Sequence, residues 1–142
     1  MLETTNQDSA AQLTTSRARA ARPILVDDDD DDVRRIVLET LEAEGWVVLA
    51  APDGQQAIEQ AVWQAPALVV LDVTLPVLDG YGVAGALRAA HGARLPILEM
   101  SGDGQVASKA QRIGAFAYLR KPFDLDDLVT AVRRGLGDHQ PS

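Results

Sequence analysis

The chain has 142 residues, 46% of them hydrophobic, a formal net charge of −8 and an isoelectric point near 4.6. That length allows one domain of ordinary size with a real core, and the acidic balance argues against a surface that grips nucleic-acid phosphates. No cysteine is present, which excludes a disulfide framework and a thiolate metal site, and no apolar run approaches the ~20 residues that span a bilayer. Residues 1–20, rich in Thr, Ser, Gln and Ala, lack the apolar centre of a signal peptide, so a soluble, cytoplasmic protein is expected.

In chain order, residues 1–21 read as a disordered polar tail with Arg17, Arg19 and Arg22 near its end. Residues 22–136 read as the folded domain and 137–142 as a second tail. Pro23 to Val26 is a short apolar run that meets six aspartates, Asp27 to Asp32. Such a run could be a solvated loop, but it sits between a strand and a helix carrying Val33, Ile36, Val37 and Leu41, where acids suit the positive end of the helix dipole. Gly45 closes that helix, Trp46 to Ala50 forms a second apolar run, and Ala57, Ile58, Ala61 and Val62 mark the next helix. Leu68 to Leu71 then runs into Asp72, with breaks at Pro76 and Asp79-Gly80, and a weaker helix follows over 81–90 because Gly82 and Gly85 interrupt it. Pro96 to Met100 is a fourth strand, 105–112 a short helix, Phe116 to Arg120 a fifth strand, and Leu125, Leu128, Val129 and Val132 a last helix. Five strands alternating with five helices predict an α/β fold, a parallel sheet with helices on both faces.

The strands end in polar residues: Asp28 and Asp29 after the first, Asp72 after the third, Ser101 after the fourth and Lys121 after the fifth. A parallel sheet brings all of these to one edge, where such sheets bind ligands. Three carboxylates together raise one another's pKa, and oxygen donors without His or Cys favour a hard cation such as Mg²⁺. A hydroxyl and an ammonium beside them suit the oxygens of a transferred phosphoryl group, which makes Asp72 a candidate nucleophile that forms an acyl phosphate.

These motifs, with Asp79-Gly80, Ser101-Gly102 and Tyr118 to Phe123 in that order, resemble the receiver domain of two-component response regulators over roughly residues 23–135. The resemblance implies a flavodoxin-like receiver fold with strand order 2-1-3-4-5, Mg²⁺ dependence, and phosphorylation of Asp72 by a partner histidine kinase or phosphotransfer protein. Residue by residue it implies a metal site of Asp29 as direct ligand, Asp28 as its water-mediated neighbour, Asp72 and the carbonyl of Thr74, with Ser101 as the switch hydroxyl and Lys121 as the phosphate-binding lysine. It further implies a cis bond before Pro122, Tyr118 as the rotating aromatic, and Thr74 and Asp103 as residues that set phosphate lifetime. Because only a few residues follow the last helix, the output expected is an unidentified downstream protein, reached through the face of the fourth helix, fifth strand and fifth helix. A stand-alone signalling domain, not an enzyme in the ordinary sense, with no direct nucleic-acid or membrane contact, is the reading.

Two positions depart from the family pattern. Asp27 falls where a strand residue should be apolar, so the metal pair could be Asp27 and Asp28 if one residue were inserted, and Asp28 and Asp29 are preferred. Glu99 interrupts the fourth strand and should be partly exposed, paired or protonated. Two rivals remain: a phosphatase of the haloacid dehalogenase type with its nucleophile among Asp29 to Asp32, and a degenerate receiver that binds partners without phosphorylation. His91 and His139 are set aside as loop and tail residues, and Trp46 and Trp63 as packing residues.

Overall fold

Five short runs rich in Val, Ile and Leu become strands: β1 (Ile24–Asp27), β2 (Val48–Ala51), β3 (Leu68–Asp72), β4 (Ile97–Ser101) and β5 (Ala117–Arg120). Between and after them lie α1 (Asp31–Ala43), α2 (Gly54–Trp63), α3 (Val77–His91), α4 (Val106–Ile113) and α5 (Leu125–Gly135). The computed structural model describes residues 22–74, 77–102, 104 and 106–137, without the side chains at 77–79 and 106. Both tails beyond residue 22 and residue 137, Leu75, Pro76, Asp103 and His139 therefore lie outside the described residues.

All strand pairs are parallel and their order is β2-β1-β3-β4-β5. A strand flanked on both sides and covered on both faces has no wet surface, which is why β1, β3 and β4 are almost wholly buried. Alternate residues face opposite layers. Leu25, Val69, Leu71 and Ile97 pack on α2, α3 and α4 through Ala57, Ala61, Val83, Leu87 and Ile113. Ile24, Val26, Val70, Leu98 and Met100 pack on α1 and α5 through Val37, Leu41, Leu128 and Val132. Polar side chains start the helices on either side of β2: the Asp30 carboxylate accepts from the N–H groups of Asp32 and Val33, and Asp53 accepts from that of Gln56.

Several expectations are corrected. The third helix starts at Val77, four residues before Tyr81, so Asp79-Gly80 lies inside it. Gly80 is there for contact: a Cβ at that position would come within 2.5 Å of Val73 Cγ1. His91 is the last residue of α3 and not part of a loop. Trp63 is 89% exposed and so is no packing residue, whereas Trp46 packs on the α1/α5 layer with the Arg133 guanidinium 5.8 Å from its ring. Glu99 is fully buried on the same face as Ile97, so exposure is not how its carboxyl is accommodated. Among the described residues no helix is long and apolar enough to cross a membrane.

Candidate functional site

The β1 strand carries its chain direction straight into the acidic run, so Asp27 is the last strand residue and Asp28 the first beyond it. The turn into α1 is fixed by two bonds at Asp28: its Oδ1 accepts from the Asp30 N–H at 2.9 Å, and its carbonyl accepts from Arg34 Nη1 at 2.9 Å. Asp28 is fully buried, and its other oxygen lies 2.8 Å from Lys121 Nζ. The same ammonium reaches Asp72 Oδ2 at 3.3 Å, bridging the ends of β1 and β3. Lys121 is held in turn by its own N–H, which donates to the Ser101 carbonyl at 2.8 Å, and the bond to Pro122 is cis as expected.

At Asp72 the second oxygen, Oδ1, accepts from the Thr74 N–H at 2.9 Å and from the Thr74 hydroxyl at 2.5 Å. Thr74 Oγ1 also accepts from the Gly102 N–H at 3.1 Å, which ties the loop after β3 to the loop after β4. Carboxylate oxygens of Asp28, Asp29 and Asp72 lie within 4.8 Å of one another, the first buried and the second exposed. Asp27 is outside that trio although it is buried.

Burial first, and then the charges of Asp72, Asp53, Asp28 and Asp29, push the Asp27 carboxyl up to about 7. Burial also pushes Asp28 up, against the hydrogen bonds from Lys121 and the Asp30 N–H that favour its charged form. Burial pulls Lys121 down, but its bond to Asp28 and the charges of Asp72 and Asp28 outweigh this and leave its pKa raised. The carboxylates are thus short of positive charge even with the lysine in place, and an all-oxygen donor set of three carboxylates fits a hard divalent cation such as Mg²⁺.

The structure brings Asp28, Asp29, Asp72, Thr74 and Lys121 together. Ser101 is fully buried at the end of β4, while Tyr118, in register with Glu99 on β5, is 49% exposed. One residue near the site was missed. Lys109 of α4 is 4% exposed, and its Nζ donates to the carbonyls of Val73 at 3.2 Å and Thr74 at 3.3 Å. Its spacing of four from the buried Ile113 was the available signal, since it places a lysine on the inward stripe of a short amphipathic helix.

Residues 24–133 match the family model of the response regulator receiver domain. The chain belongs to that family. It is 33% identical over 120 residues to the transcriptional regulatory protein PdtaR of Mycobacterium tuberculosis, covering 84% of this chain and 58% of that protein. Against the solved receiver domain of NtrX from Brucella abortus it is 34% identical with a TM-score of 0.73, covering 80% of this chain and 98% of that one. The Vibrio cholerae chemotaxis protein CheY4 gives 28% identity and a TM-score of 0.74, with 82% and 100% covered. The chain thus spans little more than half of PdtaR and nearly all of the single receiver domains. As a receiver of two-component signalling it is a signalling domain, and the phosphatase reading is set aside.

Proposed function

We propose that Asp72 accepts a phosphoryl group from a phosphohistidine on a partner histidine kinase or phosphotransfer protein, and that the phosphorylated domain switches its contacts with a downstream protein. The observation that carries this reading is the Lys121 ammonium bridging Asp28 and Asp72 beside three clustered carboxylates. One Asp72 carboxylate oxygen attacks phosphorus, forming the O–P bond of an acyl phosphate, while the P–N bond of the donor breaks and its imidazole leaves with the electron pair and takes up a proton. Asp28, Asp29, Asp72 and the Thr74 carbonyl would hold Mg²⁺, whose charge offsets that of the phosphoryl oxygens.

Lys121 already touches both acids and can turn to a phosphoryl oxygen without leaving the edge. Thr74 holds the attacking carboxylate in place through Asp72 Oδ1, and the Gly102 N–H holds the Thr74 hydroxyl in turn. The Ser101 hydroxyl supplies a donor to the phosphoryl group, and its shift frees room for Tyr118 to turn inward, altering the face made of α4, β5 and α5. Thr74 and Asp103 set how long the acyl phosphate lasts. No direct contact with nucleic acid or membrane belongs to this reading.

Intact-mass measurement with Mg²⁺ and acetyl phosphate tests it. One phosphate should add to the wild type and none to Asp72→Asn; equal labelling of both would remove Asp72 from the role, and no labelling of either would favour the degenerate receiver.

A further inference from the structure

A buried lysine is costly, because its long stem usually carries the ammonium out to water and burial forfeits that hydration unless acceptors replace it. Lys109 is buried nonetheless, and two acceptors that it reaches lie 35 and 36 residues earlier in the chain. They are the carbonyls of Val73 and Thr74, the two residues that directly follow Asp72. Thr74 is therefore held from both ends: its N–H and hydroxyl bind Asp72 Oδ1, and its carbonyl binds the α4 ammonium. The far end of α4 is fixed separately, where Arg88 donates to the carbonyls of Ile113 and Gly114.

We infer that Lys109 is a positioning residue, a tether that makes the orientation of the Asp72 carboxylate depend on how α4 is seated. The inference rests on Asp72 being the phosphoacceptor, but the tether itself does not. A shift of α4 pulls on the two carbonyls and, through the Thr74 peptide, on Oδ1 of the Asp72 carboxylate. Conversely, anything that draws on the Thr74 carbonyl loosens the start of α4. Communication between the acid edge and the α4 face then has a second route besides Ser101 and Tyr118, one that a single side chain carries.

Three measurements test this. In the wild type, nuclear magnetic resonance should show Lys109 ammonium protons protected from solvent, with couplings across hydrogen bonds to the carbonyl carbons of residues 73 and 74. In Lys109→Met, amide exchange in α4 and at Thr74 should rise together by about tenfold or more, the effect expected from losing a charge-assisted bond, while β1 and β3 amides stay as they were. Lys109→Gln, which keeps an N–H donor, should restore part of that protection, and acetyl phosphate labelling of Asp72 should slow in Met more than in Gln. A purely packing role would raise exchange across the whole domain and is an overturning result, as is unchanged exchange at Thr74. If neither variant folds, the wild-type ammonium decides: protons exchanging as fast as those of a surface lysine overturn the tether. If wild-type Asp72 takes no phosphate, the proposed function fails while the exchange data still judge the tether.

Discussion

Asp27 and Asp28 are adjacent, both buried and both pushed up by burial, but they differ in their partners. Asp28 faces the α1/α5 side of the sheet, where Lys121 Nζ and the Asp30 N–H meet its two oxygens. Asp27 alternates to the side of Leu25 and finds the N-terminus of α2, with Oδ2 about one van der Waals contact from where a Cβ on Gly54 would lie. Its charged surroundings are all acidic: Asp72, Asp53, Asp28 and Asp29. The same residue type, one position apart, is therefore part of a hydrogen-bonded ion pair on one face and a source of repulsion on the other. Burial alone does not decide what a carboxylate contributes; the partner does.

The largest break in that contrast comes from Asp28→Val. Losing the Asp30 N–H and Lys121 bonds while leaving the lysine partly buried outweighs the relief of removing a carboxylate that burial pushes up, so stability at neutral pH should fall by about 1 kcal/mol, read as a lower midpoint in urea unfolding. Mg²⁺ affinity by calorimetry should fall at least about 100-fold, the upper end of what losing even an outer-sphere partner costs. Wild-type affinity in Asp28→Val would return the metal pair to a different choice of acids.

Most of this architecture could be read from residues alone, because the signals were local. Leu68 to Leu71 running into Asp72 reads as a buried strand with a polar end, and four such strand ends shared one edge once the sheet was parallel. What could not be read depended on what packs against what. Gly80 looks like a turn residue in sequence, and only the approach of Val73 makes it a helical contact residue. Trp63, two residues past Ala61, lies on the far side of α2 from the buried Ala57 and Ala61 and points to solvent, so helical spacing and not residue type was the signal there. Lys109 was hidden for the opposite reason: a lysine in a helix is assumed exposed, and its acceptors are on another element.

Asp27→Val should move stability the other way from Asp28→Val. A folded-state pKa of about 7 against an ordinary 3.8 means that the fold binds a proton more tightly than the unfolded chain does. The destabilisation is absent below about pH 4, grows between about 4 and 7, and is complete above 7. Three pKa units would be about 4 kcal/mol, an upper bound because side-chain relaxation relieves part of it, so a gain of roughly 2–3 kcal/mol at pH 8 is expected. Unfolding the two proteins in urea from pH 4 to 8 should show curves that converge in acid and separate as pH rises. A constant gap across that range would mean that Asp27 does not titrate in the fold. Mg²⁺ affinity should change little, since Asp27 lies outside the acid trio.

The smallest effect tests whether the repulsion at Asp27 is set by its neighbours one at a time. Asp53 contributes in two ways: its carboxylate accepts from the Gln56 N–H at 2.9 Å as the cap of α2, and its charge is the second-largest of those that raise Asp27. Asn caps a helix about as well as Asp, so Asp53→Asn removes the charge and keeps the bond. Because Asp53 is exposed and screened by solvent, the gain should be less than about 0.5 kcal/mol, present at pH 8 and gone by pH 4. In the Asp27→Val background the gain should vanish, since the partner of the repulsion is gone, and that double-mutant cycle is the decisive form of the measurement. An equal effect of Asp53→Asn in both backgrounds would show that Asp53 acts on α2 itself and not on Asp27.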